Sequence, residues 1–183
     1  ILVGFAIVFG FRLAGFRTVR VVGDSMSPTY KSGTILITKV VTSEEDIHED
    51  DVVVFRVPAE KMQRHDLEEA DGKSHKIIKR IVALPGEEIE LKNGYAYRNN
   101  NRENRTIEQM LDVGEYETPY QLKDDEYFVL GDNRNNSYDS RKIGPIKLEE
   151  IEENIVNELK EGIEENLNEF KKQLENQKES IKI

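Results

Sequence analysis

The chain has 183 residues, enough for one globular domain with appendages but too few for two sizeable domains. Its net charge of −10 argues against a general nucleic-acid-binding surface, because such surfaces are rich in Lys and Arg. The absence of cysteine excludes disulfides, thiolate metal sites and cysteine nucleophiles. Because the three histidines lack the spacing of metal-binding motifs, we expect no metal site at His48, His65 or His75.

Residues 1–16, ILVGFAIVFGFRLAGF, are apolar except for Arg12. The uncharged run is shorter than the roughly 20 residues that a helix needs to cross a bilayer. Three interpretations remain open: the remnant of a transmembrane anchor, a cleaved signal peptide, or a buried core helix. We favour the anchor, because no small-residue cleavage site separates the run from the residues that follow. A lipid bilayer is therefore an expected partner of this segment.

The middle of the chain, residues 17–146, has the pattern of a mostly antiparallel β-domain. Runs of β-branched residues bounded by turn residues predict strands over 34–41, 51–57, 75–84, 87–91 and 126–130. Tight turns are predicted at Pro85-Gly86 and Asn93-Gly94. Two polar stretches without clear periodicity, residues 59–74 and 98–121, are interpreted as long loops or insertions on this domain.

The last region, residues 147–183, is acidic and has a helical repeat. Its apolar residues recur at intervals of about 3.7 positions, close to the period of an α-helix. They are Leu148, Ile151, Ile155, Leu159, Ile163, Leu167, Phe170 and Leu174. The repeat predicts one amphipathic helix over 148–174 that docks on the β-domain or mediates self-association. A solvated tail is the alternative.

A serine with the setting of a nucleophile lies at the start of the β-domain. Residues 23–29 read Gly-Asp-Ser-Met-Ser-Pro-Thr, so glycine and proline bracket Ser25 on an irregular turn. Such a turn can expose a hydroxyl and direct backbone N–H groups to one point, as an acyl-transfer nucleophile and its oxyanion hole require. Serines in such turns are common, so an ordinary turn serine is the alternative interpretation.

A lysine in the strand predicted over 75–84 is a candidate base for this serine. Alternation places Lys79 on one face with Ile77 and Ile81, where it is the only polar residue. Desolvation there would lower the lysine pKa from about 10.4 towards about 8, leaving roughly a tenth of the molecules neutral at pH 7. The alternative is a lysine that extends into solvent from an edge strand.

A polar segment, residues 131–141, follows the strand predicted over 126–130. It reads GDNRNNSYDSR. One interpretation is a solvated loop held by Asx-turns and an ion pair between Asp139 and Arg141. The other is a buried network in which Ser137 holds the lysine ammonium group in place.

Three motifs, GDSMSPT at 23–29, KRIVALPGE at 79–87 and GDNRNNSYDSR at 131–141, follow an apolar segment in this order. Together they resemble bacterial type I signal peptidase, and the resemblance covers residues 1 to about 146. It implies a single-pass protein of a bacterial cell membrane whose extracytoplasmic β-domain cleaves signal peptides from exported preproteins after a small residue. It implies no cofactor.

By motif match, the resemblance implies a catalytic pair made of the nucleophile Ser25 and the general base Lys79. The N–H of Ser25 would supply one oxyanion donor, while Gly23 has no side chain to supply another. Ser137 matches the serine that orients the lysine in this family. Structural support of the site is implied for Asp132 and for the ion pair of Asp139 with Arg141.

The family binds its substrate in an extended form between two strands, which here implies residues 21–25 and 77–79. The residues expected to contact the signal peptide are Val21, Val22, Met26, Ile77 and Ile78. The chain departs from the family pattern at three places. Asp50 replaces a turn glycine, Ile77 replaces an aromatic residue often found two positions before the lysine, and an acidic helix is predicted where the family has a further strand.

Two other functions share some of these features. A self-cleaving repressor has the same Ser-Lys chemistry, but it is cytosolic and joined to a DNA-binding domain for which this chain has no room. An inactive signal-peptidase-like protein could serve as an assembly or binding module, but such relatives usually lose the serine or the lysine. Both residues are present here.

Overall fold

The computed structural model describes Arg12, residues 14–58, Lys61, residues 75–105 and residues 108–156. Strands of the larger sheet are β1 Phe16–Arg20, β2 Ile35–Val40, β3 Val52–Val57, β4 His75–Ala83, β9 Glu126–Leu130, β10 Ile146–Lys147 and β11 Ile151–Ile155. Strands of the smaller sheet are β5 Glu88–Lys92, β6 Tyr95–Arg98, β7 Asn101–Arg102 and β8 Tyr120–Gln121. The described residues also form the short helix α1, Ser140–Ile143, and 3-10 turns at Glu44–Asp46 and Leu148–Glu150.

Antiparallel pairing orders the larger sheet as β1-β2-β11-β3-β4-β9-β10 and the smaller one as β7-β6-β5-β8. The mostly antiparallel β-domain is therefore confirmed, and each of the five predicted strands has its counterpart: β2, β3, β4, β5 and β9. The run of β3 is almost continuously apolar because both faces are covered. Val53 and Phe55 pack in one core cluster, and Val52 and Val54 pack in another.

The turn predicted at Asn93-Gly94 joins β5 to β6. Both residues have positive φ, 52° and 75°, as a type I′ hairpin turn requires. Gly94 is needed for a second reason: a Cβ there would lie 2.7 Å from the carbonyl oxygen of Met110. A hydrogen bond of 2.8 Å from the N–H of Met110 to the carbonyl of Gly94 holds the segment after β7 against the hairpin.

The segment predicted as a polar insertion, residues 98–121, is more ordered than its sequence pattern indicates. It supplies β7 and β8, and Tyr116 is 2% exposed. The Tyr116 ring meets Phe128 edge to face, with 4.8 Å between ring centroids. This buried aromatic contact ties the smaller sheet to β9 of the larger one.

The prediction of a helix beginning at Leu148 is wrong over the described residues. Leu148–Glu150 form a 3-10 turn, and Ile151–Ile155 form β11, which pairs with both β2 and β3. The further strand that the family pattern calls for is therefore present. The apolar repeat does not reveal this strand because one residue of its buried face is a glutamate: Glu153 is 2% exposed and accepts a hydrogen bond from Thr38.

Several predictions fall outside the described part of the chain. They are the helix beyond residue 156, most of the anchor segment and most of the insertion at 59–74. Within the described residues, no helix has the length and apolar character needed to span a bilayer.

Candidate active site

Ser25 lies on a turn that follows β1 and is held by backbone hydrogen bonds. The N–H of Val21 donates to Thr34 over 2.9 Å, and the N–H of Tyr30 donates to the carbonyl of Met26 over 2.8 Å. Met26 is 1% exposed and anchors the turn in the core. Buried anchors on both sides of Ser25 thus fix its backbone while its own side chain remains partly accessible.

Lys79 lies on β4, which has β3 on one side and β9 on the other. The alternative of an exposed lysine on an edge strand is therefore wrong, and Lys79 is only 2% exposed. Its Nζ lies 2.8 Å from Ser25 Oγ and donates to the carbonyl oxygen of Ile78 over 2.8 Å. The two predicted catalytic residues are thus in direct hydrogen-bond contact.

The environment of Lys79 favours its neutral form. Burial lowers the lysine pKa from 10.5 to about 8, although the negative charges of Asp139 and Asp132 partly oppose this effect. At this pKa about a tenth of the molecules hold a neutral amine at pH 7. A neutral amine beside a hydroxyl can accept its proton, which is the requirement for a general base.

The polar loop, residues 131–141, contacts the nucleophile turn through its main chain. The N–H of Asn133 donates to the carbonyl of Ser25 over 3.0 Å, and the Asn133 side chain donates to the carbonyl of Asp24. At the other end of the loop, the fully buried Asp139 accepts hydrogen bonds from Arg141 and from the N–H of Gly131. The buried network is therefore present, including the predicted Asp139–Arg141 ion pair.

Ser137 is half-buried near this contact, with its Oγ buried next to Gly131, whose neighbours also include the backbone oxygen of Ser25. Its Oγ has no hydrogen-bond partner among the described residues, so no bond to Lys79 is made. The orienting role of Ser137 stays a prediction. Gly23 has a φ of 79° and no heavy atom within 4 Å of where a Cβ would lie.

We expect Gly131→Ala to impair the site severely. An added Cβ would lie 2.6 Å from the carbonyl oxygen of Ser25 and would also overlap Ser137, so the nucleophile turn must shift. A displacement of about 1 Å at reacting atoms can lower the rate by roughly 10²-fold. Steady-state cleavage kinetics test this, with Gly86→Ala as the control, since a Cβ at that position has no atom within 4 Å, although its positive φ adds backbone strain that Gly131 lacks. Equal rates for the two variants would contradict the steric argument.

Sequence reasoning did not single out Arg80, which is an important support of the site. Arg80 Nε and a terminal nitrogen donate to both carboxylate oxygens of Asp132 over 2.8 and 2.6 Å, and its other nitrogen donates to the carbonyl of Asp50. Burial alone would raise the pKa of Asp132, but its hydrogen bonds and the charge of Arg80 keep this pKa below its usual value. The available signal was a second charged residue directly after Lys79 in the otherwise apolar run over 77–84.

A cleft of about 300 Å³ runs beside the Ser-Lys pair. It is lined by every residue predicted to contact substrate: Val21, Val22, Met26, Ile77 and Ile78. Val22 is 85% exposed, so apolar surface is open to solvent at the cleft. A cleft of about 370 Å³ elsewhere, beside Asn154, contains neither Ser25 nor Lys79, so we assign the site by its chemistry and not by its volume.

Comparisons with known proteins agree with the motifs. The model of the family described as "Signal peptidase, peptidase S26" matches residues 1–158. "Signal peptidase I V" of Bacillus subtilis is 34% identical over 157 residues, covering 78% of this chain and 83% of that protein. "Probable signal peptidase I-2" of Synechocystis is 33% identical over 129 residues, covering 70% of this chain and 56% of that protein.

A crystal structure of a signal peptidase I from Enterococcus faecalis is 24% identical, with a TM-score of 0.44, and the match covers 61% of this chain and 97% of that one. The family model spans most of the chain, and the resemblance inferred from the three motifs is confirmed. The chain therefore belongs to the signal peptidase family, peptidase S26.

Proposed function

We propose that this protein is a membrane-bound serine endopeptidase that removes signal peptides from exported preproteins, with Ser25 as nucleophile and Lys79 as general base. The observation that carries the catalytic assignment is the 2.8 Å contact between Ser25 Oγ and the Nζ of a buried lysine whose pKa is lowered to about 8. Membership of the signal peptidase family supports the substrate class.

In the first half of the reaction, neutral Lys79 takes the proton of Ser25 as Oγ attacks the scissile carbonyl carbon. The tetrahedral oxyanion accepts a hydrogen bond from the N–H of Ser25. Collapse of this intermediate breaks the C–N bond, and the Lys79 ammonium group gives its proton to the leaving amine. The products are the mature protein and an ester between Ser25 and the signal peptide.

In the second half, neutral Lys79 takes a proton from water, and the resulting hydroxide attacks the ester. Ser25 Oγ leaves and regains a proton from Lys79, so the starting state is restored. A single group thus acts as base and acid in both halves, as general acid–base catalysis requires.

The signal peptide would lie extended along the cleft, between the residues that follow β1 and the start of β4. Alternate side chains would then enter shallow pockets beside Val22 and Ile77, which suits small residues at the first and third positions before the cut. The apolar sequence of residues 1–11 supports an anchor that holds the β-domain at the extracytoplasmic face of a bacterial membrane. Direct contact of Ser25 with Lys79 argues against an inactive binding module.

The test is cleavage of a preprotein with an Ala-X-Ala site by the full-length protein in detergent, followed by N-terminal sequencing of the product. We expect a cut after the second Ala, and an approximately tenfold rise in kcat/KM between pH 7 and 9 as a base of pKa about 8 loses its proton. Ser25→Ala should abolish cleavage, whereas Ser27→Ala, two positions away, should retain it. Binding without cleavage, or cleavage by Ser25→Ala, would overturn the proposal.

A further inference from the structure

We propose that Glu103, which directly follows β7 of the smaller sheet, is a positioning residue that holds the nucleophile turn through Arg134. This inference rests on the proposed function and extends it to a residue that lies outside the three sequence motifs. It assigns a role in catalysis to the segment at 98–121, which lies away from the cleft.

The contact itself is a buried, bidentate ion pair. The two terminal nitrogens of Arg134 donate to the two carboxylate oxygens of Glu103, each over 2.7 Å. The side chains are 2% and 11% exposed, respectively. Bidentate geometry fixes the direction of a guanidinium group as well as its distance, so the pair is able to hold the main chain of Arg134 in one place.

Arg134 is directly bonded to the residue that contacts the nucleophile turn. Asn133 donates its N–H to the carbonyl of Ser25 over 3.0 Å and its side-chain amide to the carbonyl of Asp24. The carbonyl of Arg134 accepts a hydrogen bond of 2.7 Å from Arg141. Displacement of Arg134 would therefore move the hydrogen-bond donors that fix the backbone of Ser25.

The smaller sheet gives Glu103 a firm support. The N–H of Glu103 donates to the carbonyl of Ala96 over 2.9 Å, and Ala96 is fully buried in the apolar cluster of this sheet. The polar loop, residues 131–141, and the segment at 98–121 make a second contact. The Asn135 side chain accepts a hydrogen bond from the N–H of Leu111 and donates one to the carbonyl of Gln109. A continuous path of hydrogen bonds and covalent bonds therefore connects the core of the smaller sheet to the backbone of Ser25.

The test compares Glu103→Gln and Glu103→Asp with wild type and with Arg102→Gln. Gln cannot accept both guanidinium hydrogen bonds, whereas Asp keeps the charge on a shorter side chain. Arg102 is the adjacent residue, is exposed, and lies over the Tyr95 ring instead of contacting the loop. Rates are divided by the concentration of active sites titrated with a serine-directed acylating inhibitor, so that a smaller folded fraction does not count as slower catalysis.

We expect Glu103→Gln to lower kcat per titrated site by about 10- to 100-fold with KM within about twofold, since the Ser25 hydroxyl is misplaced while the cleft is retained. Glu103→Asp should fall between Gln and wild type, and Arg102→Gln should match wild type. The apparent pKa of the rate profile should stay near that of Lys79, because Glu103 acts on position and not on the charge of the base.

A kcat per titrated site within twofold of wild type in both variants would overturn the inference, and so would a rise in KM at unchanged kcat. If Glu103→Gln does not fold, Glu103→Asp alone is measured, and a kcat per titrated site within twofold of wild type would overturn the inference. Absence of cleavage by the wild-type protein would instead count against the proposed function, so the two failures are distinguishable.

Discussion

Lys79→Met is expected to abolish useful cleavage and at the same time to make the protein more stable. Loss of a positioned general base lowers kcat/KM by about 10²- to 10⁴-fold. The stabilisation follows from the buried amine, whose pKa burial lowers from 10.5 to about 8. Holding this charge in the folded protein costs about 3 kcal/mol, and a methionine of similar shape does not incur that cost.

The difference in stability between Lys79→Met and wild type should depend on pH. Below pH 8 both the folded and the unfolded chain carry the charged lysine, so the free energy of unfolding of wild type lies furthest below that of Lys79→Met. Between about pH 8 and 10.5 the unfolded chain holds more protons, so wild-type stability rises with pH and the advantage of Lys79→Met shrinks to zero. Urea denaturation at pH 7, 9 and 10.5 measures this, with the exposed Lys92→Met as control. A variant less stable than wild type at pH 7 would contradict the argument.

Asp139→Ala is expected to lower the free energy of unfolding by about 3 to 5 kcal/mol, because it leaves the buried charge of Arg141 without its partner. Asp139 is fully buried and also accepts the hydrogen bond from Gly131, while the Arg141 side chain is 4% exposed. Urea denaturation at neutral pH measures the loss. Activity should fall as well, since the same loop contacts the Ser25 turn through Asn133.

The control for Asp139→Ala is Asp125→Ala, which removes an exposed ion pair. Asp125 contacts Lys147 over 2.6 Å, but about half of each side chain is open to solvent. Solvent-exposed pairs contribute little, so this variant should denature at nearly the same urea concentration as wild type. If both substitutions lowered the free energy of unfolding equally, the burial of the Asp139–Arg141 pair would not be the reason for its contribution to stability.

The sequence predicts a strand well where its apolar residues either alternate or run continuously because both faces are buried. The strands β3 and β4 are examples. The proposed catalytic pair could be picked out because each residue has a local sequence signature: Ser25 lies on a turn bracketed by glycine and proline, and Lys79 lies on an apolar strand face. Their contact depends on pairing between distant segments, which a single sequence does not contain. The three ordered motifs supplied this information through resemblance.

Residues paired across the fold were harder to predict. Glu153 is 2% exposed although an isolated glutamate is almost always exposed, so the sequence does not mark it as part of the buried face of a strand. Its burial depends on Thr38 and on the positive charges of Lys76 and Arg17, which come from three other strands. Arg80 and Glu103 were missed for the same reason, since their partners Asp132 and Arg134 lie in a loop distant in the chain.

The place of β11 in the larger sheet has a consequence for how a newly made chain becomes an enzyme. This strand is the last of the described chain, yet it separates β2 from β3, so both lack a partner on one side until residue 155 has been synthesised. β3 in turn pairs with the strand of the base, with Val53 opposite Lys79. A nascent chain that stops before β11 therefore exposes unpaired edges on β2 and β3, and β3 is the strand that flanks Lys79.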